Sequence, residues 1–226
     1  YLMTDVVIQK KNEVYLTVEC EPHIKYELSE YFTFEVPNAK FMPQYKKRLW
    51  DGTIKLFSQA DGKIYCGLYD YLVEWLDSRE YSYENKNNEY YGLPQEDNDL
   101  ISVNGVVDFV KSLNIPFKVR DYQYYAIFQA LKYNRRLLLS PTASGKSLII
   151  YTLIRYYHMM GLKTLILVPT TSLVEQMYSD FAAYSQYDDG FEESICQRIY
   201  SGAPKHNNPA RVIISTWQSI YKLPGT

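Results

Sequence analysis

Ser140-Pro141-Thr142-Ala143-Ser144-Gly145-Lys146-Ser147 lies between two apolar runs. Arg136-Leu137-Leu138-Leu139 precedes it and reads as a buried strand; Leu148 through His158 follows and reads as a helix. A small-residue loop between strand and helix is suited to cradling a phosphate. Amide N–H groups at a helix start point at an anion, and the helix dipole favours negative charge there. Lys146 can reach β- and γ-phosphates, and the Ser147 hydroxyl can ligate Mg2+. The pattern departs from G-x-x-x-x-G-K-[ST] at its first position, where Ser140 replaces the glycine.

Upstream, Arg120 to Asn134 has the spacing of an amphipathic helix with Tyr124, Ile127, Phe128 and Leu131 on one face. Gln123, near its start, carries a donor and an acceptor that match the N6/N7 edge of adenine. Downstream, Lys163 to Val168 is a continuous apolar strand of the kind found inside parallel sheets. Pro169-Thr170-Thr171-Ser172 opens the next helix, where hydroxyls serve as N-caps, as phosphate contacts, or as both. Ser194 to Tyr200 and Arg211 to Ser215 are further strands, with Ser201-Gly202-Ala203-Pro204 as a loop between them. Thr216-Trp217-Gln218 follows the last. Ligands gather at the carboxyl ends of such strands, so one rim is expected to collect the phosphate loop, Pro169–Thr171 and Thr216–Gln218.

The first half is patterned differently. Asp5–Lys10 and Glu13–Glu19 alternate as strands, and Pro22–Tyr31 is a helix with Ile24, Leu28 and Tyr31 on one face. Asp61-Gly62 marks a hairpin between Ile54–Phe57 and Lys63–Cys66. Leu68, Tyr71, Leu72, Trp75 and Leu76 form a core-facing helical stripe, and Tyr81–Tyr91 reads as an edge strand. Between these, Lys40, Lys46, Lys47 and Arg48 are interleaved with Phe41, Tyr45 and Trp50. That composition suits a nucleic-acid backbone with stacked bases, and equally a solvated loop whose aromatics pack inward. A domain boundary is placed near residue 115, giving an α+β unit over 1–115 and an α/β unit over 116–226.

Composition sets bounds. The 226 residues are 46% hydrophobic, ample for a core. The net charge of −2 requires any nucleic acid to be met by local basic patches. Cys20, Cys66 and Cys196 are far apart, which argues against a zinc site or a disulfide framework. No run reaches membrane-spanning length.

Arg120–Gln123, Pro141–Ser147, Leu167–Gln176 and Ile213–Ser219 resemble, in order and spacing, the Q motif and motifs I, Ia and Ib of superfamily 2 helicases. Members of that family often lack the first glycine of the phosphate loop. Tyr31–Glu35, Lys40–Pro43 and Leu49–Leu56 are similar to the accessory domain of phage recombination helicases. The resemblance implies a RecA-like parallel sheet with helices on both faces, preceded by a small α+β domain. It implies ATP and Mg2+, held by Arg120, Gln123, Pro141, Thr142, Ala143, Ser144, Gly145, Lys146 and Ser147. Lys146 has the catalytic role and Ser147 holds the metal. It implies branched or single-stranded DNA on Lys46, Lys47, Arg48, Trp50, Pro169, Thr170, Thr171, Thr216, Trp217 and Gln218. An acidic Walker B pair and a second RecA-like lobe with its arginine finger are expected beyond Thr226, so the 226 residues alone should hydrolyse ATP slowly or not at all. The cytoplasm of an infected bacterial host is the expected setting. A nucleic-acid-binding module without catalysis and a P-loop phosphotransferase remain the alternative readings.

Overall fold

The computed structural model describes residues 4–95, 97–133, 135–202 and 210–221. The chain divides into two compact units, residues 1–96 and 97–226. This division falls before the boundary near 115 that the sequence suggests. The reason is the helix Val103–Ser112, whose Val106 and Val110 pack with Ile127, Leu131 and Ile149 of the second unit.

In the first unit, β1 (Val6–Lys10) pairs antiparallel with β2 (Tyr15–Cys20), in the register Val6↔Cys20. The strand alternation appears directly as burial: Val6 and Ile8 face inward, as do Leu16 and Val18. Helix α1 (Pro22–Tyr31) begins on a proline at N1 and buries Ile24 and Leu28. The hairpin at Asp61-Gly62 joins β5 (Phe57–Ser58) to β6 (Lys63–Tyr65). Gly62 has φ +62, and a Cβ there would lie 2.3 Å from the Val18 carbonyl oxygen. Residues 53–55 do not belong to this hairpin. They form β4 (Thr53–Lys55), paired with β3 (Thr33–Glu35) in a separate ribbon. Helix α2 (Pro43–Lys46) lies between β3 and β4. Strand β7 (Tyr83–Lys86) adds parallel to β1 at the sheet edge, giving the order β5-β6-β2-β1-β7. Helix α3 (Tyr69–Ser78) closes the core with Leu72, Trp75 and Leu76.

The second unit contains α4 (Val103–Ser112), α5 (Asp121–Lys132), α6 (Lys146–Met159), β8 (Thr164–Val168), α7 (Thr171–Tyr184), β9 (Cys196–Ile199), β10 (Val212–Thr216) and α8 (Trp217–Ile220). The three strands form a parallel sheet in the order β8-β10-β9. Ile166, Val168, Val212 and Ile214 pack with Tyr151 and Ile154 of α6 and Val174 and Phe181 of α7. These are the helical and strand elements that the alternating sequence pattern anticipates.

One expected element does not form. Residues 136–140 carry no strand. Leu137 and Leu139 are 84% and 88% exposed. A strand exists only through a ladder with a neighbour, and among the described residues no strand pairs with this run. The end of the expected α5 helix at Asn134, and Ala203-Pro204 of the expected loop, lie outside the described residues.

Candidate functional site

Gly145, in the left-handed region at φ +77, is the N-cap of α6, and no side chain caps that helix. The other two long helices of this unit that carry a side-chain cap use a hydroxyl: Ser102 on α4 and Thr170 on α7. Ala143 is also left-handed, at φ +62. Alternating handedness over small residues turns successive amides inward, which makes a concavity suited to an anion. The exposed Lys146 ammonium curls over the same loop, donating to the Ser140 carbonyl at 3.1 Å and the Pro141 carbonyl at 2.7 Å. Ser147 Oγ lies 2.9 Å from the Tyr184 hydroxyl.

Gln123 is only 4% exposed, and its amide is engaged within the protein. Oε1 accepts from the Arg120 amide at 2.9 Å, and Nε2 donates to the Ser144 carbonyl at 3.1 Å. In this state the side chain anchors the phosphate loop to the start of α5 and does not present its amide to a base. The positive φ of Gly145 favours glycine, and a Cβ there would come within 2.4 Å of Gln123 Nε2, so the glutamine amide would have to shift. Tyr122 supports the same point, its hydroxyl donating to the Ser144 carbonyl at 2.7 Å. Beside the loop is a cavity of about 620 Å³, whose walls include Arg120, Tyr122, Tyr125, Gln129, Leu138 and Thr142. That volume falls in the usual range for small-molecule pockets.

The parallel register pairs Thr216 with Val168, so Pro169–Thr171 and Thr216–Gln218 leave the sheet at the same end. Thr170, Thr171, Trp217 and Gln218 are exposed there. Thr216 is not: it is 5% exposed, and its hydroxyl donates to Ser219 Oγ at 2.9 Å. Its role at the strand end is to shape the turn into α8, which displays Trp217 and Gln218. The phosphate loop is anchored through Ser147 to Tyr184, at the end of α7 opposite Thr170–Thr171.

In the first unit, Lys40, Lys46, Arg48, Trp50 and Lys55 line a broad groove of about 930 Å³. Lys47 is exposed as the C-cap of α2. Trp50 is held by its indole N–H, which donates to the Thr53 carbonyl at 2.7 Å.

Sequence reasoning missed Tyr122, Tyr125 and Tyr184. With 24 tyrosines in the chain, none stands out by composition. The one available signal was position: Tyr122 adjoins Gln123, and Tyr125 is one helical turn further on.

A parallel α/β sheet and a glycine-capped lysine loop at a helix start define the P-loop nucleotide-binding class. Residues 116–224 match the family described as Type III restriction enzyme, res subunit, and residues 5–84 match DNA helicase UvsW, N-terminal. The chain is 32% identical to the ATP-dependent DNA helicase UvsW of Enterobacteria phage T4 over 97% of its own length and 43% of the relative's. It thus spans less than half of that relative. Two crystal structures of T4 UvsW superpose with a TM-score of 0.82 at 29% identity. Both comparisons cover 98% of this chain, against 44% and 78% of the respective structures. Along nearly its whole length the chain is thus similar to this helicase in sequence and in fold.

Proposed function

We propose that this chain is the accessory domain and first motor lobe of an ATP-dependent DNA helicase or translocase that remodels branched DNA. The observation that carries the reading is the loop at Gly145: uncapped helix amides and the Lys146 ammonium converge beside a nucleotide-sized cavity. In this reading Lys146 and the backbone over Pro141–Gly145 hold the phosphates. Tyr122 and Tyr125 offer faces to the base, and Arg120 lies at the cavity wall.

The donor set fits a nucleotide-borne Mg2+. Among the described residues no cluster of three or more His, Cys, Asp or Glu side chains could hold a metal by itself. Ser147 Oγ is a hard oxygen next to Lys146, suited to complete a shell made mostly of phosphate oxygens and water. When bound, the ion would supply charge neutralisation at the β- and γ-phosphates. The residues here bind and orient the nucleotide. A second lobe is proposed to complete the site, and closure of two lobes would couple turnover to stepping.

DNA is assigned to Pro169, Thr170, Thr171, Trp217 and Gln218, and to the groove with Lys46, Lys47, Arg48 and Trp50. Among the described residues no helix is long and apolar enough to cross a membrane. The kinship with a phage protein favours action in the cytoplasm of the host cell.

The test is a pair of equilibrium titrations. Lys146→Ala should abolish binding of a fluorescent ATP analogue with Mg2+ and leave DNA affinity unchanged. Neutralising Lys46, Lys47 and Arg48 together should do the reverse, lowering the slope of log affinity against log salt by roughly 2–3. Equal loss of DNA binding in both variants would refute the two-site reading.

A further inference from the structure

The end of helix α2 is built in an unusual way. The Leu49 amide donates to the Gln44 carbonyl at 3.0 Å, and the Arg48 amide donates to the Tyr45 carbonyl at 2.9 Å. This pair of bonds is a Schellman cap, which needs a left-handed residue at its penultimate position. Glycine is the ordinary occupant. Here it is Arg48, at φ +57, which a side chain tolerates only at a cost. Such a cap usually folds its following apolar residue back onto the helix. Here the following residue is Leu49, which is 77% exposed. The cap therefore fixes the backbone leading into a leucine that the unit's own core does not use.

The surroundings are cationic and aromatic. Lys40, Lys46, Arg48 and Lys55 line the groove beside Leu49, and the anchored Trp50 follows it in the chain. Positive charge suits a phosphate backbone, and a rigidly displayed aliphatic side chain does not. An apolar side chain among backbone-binding cations is suited to entering a base step and unstacking it. Entry is easiest where stacking is already interrupted.

We propose that Leu49 is an unstacking wedge: the groove holds the backbone of a branched duplex while Leu49 enters the stack at the first base pair beside the branch. This rests on the assignment of DNA to the groove, and it adds the branch point as the feature recognised.

The probe is a forked DNA with 2-aminopurine in the first pair at the fork, compared with a blunt duplex of the same sequence. Binding of the 226-residue chain should raise 2-aminopurine emission on the fork. Leu49→Ser should suppress that rise and reduce the preference for fork over duplex by about ten-fold, close to 1.4 kcal/mol. Leu49→Met should retain both. Because Leu49 is exposed, the thermal midpoints of the three proteins should agree. Fork binding by the unaltered chain with no emission rise, or an undiminished rise in Leu49→Ser, overturns the wedge and leaves the groove assignment intact. Unchanged affinity for both DNAs in Lys46→Gln/Arg48→Gln overturns the groove assignment and the wedge with it.

Discussion

The Tyr184 hydroxyl, on the last residue of α7, lies 2.9 Å from the hydroxyl of Ser147 on the first turn of α6. Tyr184 is half-buried against Tyr151 and Phe117, so its ring is fixed in place. Burial raises its pKa above the ordinary phenol value, which keeps the hydroxyl neutral at pH 7. The oxygen expected to meet a nucleotide-borne cation is therefore already hydrogen-bonded to the helix whose other end carries Thr170.

That bond competes with the ion. Tyr184→Phe should tighten Mg2+–nucleotide binding by about 2–10-fold, the equivalent of one modest hydrogen bond. Affinity for nucleotide in EDTA should not change. Titration of a fluorescent ATP analogue at fixed Mg2+ is the measurement. Weaker binding in the variant would mean that the bond orients Ser147 and does not compete for it.

Gln123 allows a cleaner separation of roles. If it anchors the loop, Gln123→Ala leaves the Arg120 amide without its partner and takes from the Ser144 carbonyl one of its two donors, the Tyr122 hydroxyl remaining. The expected cost is about 1–3 kcal/mol, a fall of several degrees in the midpoint of a unit of this size. A contact made only to adenine would lower nucleotide affinity and leave the unliganded midpoint unchanged. Calorimetry without nucleotide distinguishes the two.

The sequence was most legible where one period governs one element. Alternation gave β1 and β2, and helical spacing gave α1, α3 and α5, because burial on one face leaves a direct imprint on residue choice. The turn into α6 was legible because a left-handed helix start favours Gly145 at that position. The run Leu137–Leu139 was misread because apolar composition states a preference for burial, while a strand also needs a neighbour to bond. Thr216 and Gln123 were misassigned in accessibility for a related reason. A polar residue type does not reveal whether its hydrogen bonds go outward or, as here, to Ser219 and Ser144. The Ser147–Tyr184 bond joins residues 37 positions apart, and no local pattern encodes it.

His158 should make stability depend on pH. Its Nδ1 is buried with no hydrogen-bond partner, and burial, followed by the charges of Arg155 and Arg211, lowers its pKa below the usual 6.5. The folded state then binds fewer protons than the unfolded one in the interval between the two pKa values. Stability is fully present above the unfolded value, declines as pH falls below it, and levels off below the folded value. The thermal midpoint should drop between pH 7.5 and 5.5. His158→Gln should flatten that part of the profile; an equally steep decline in the variant would assign the titration to other groups.

The strongest stability effect is expected at Arg155 and Asp188, both 5% exposed. Arg155 Nε and Nη2 donate to the two carboxylate oxygens at 2.5 and 2.9 Å, and the Tyr151 hydroxyl donates to the same carboxylate at 2.7 Å. The Gly190 amide adds a fourth bond, and a Cβ at Gly190 would collide with Arg155 Nη2 at 2.4 Å. Tyr151 and Arg155 lie on α6, one turn apart, while Asp188 follows α7; the cluster ties the phosphate-loop helix to the segment leaving α7. Removing one charge strands the other in a low-dielectric interior. Asp188→Ala and Arg155→Ala should each cost about 3–5 kcal/mol. The double variant Arg155→Met/Asp188→Leu should recover much of that loss, because neither charge is then left unpaired. Chemical denaturation of these proteins together with the double alanine variant closes the cycle. Single-variant losses that simply add in a double alanine variant would show that the two side chains stabilise the unit independently.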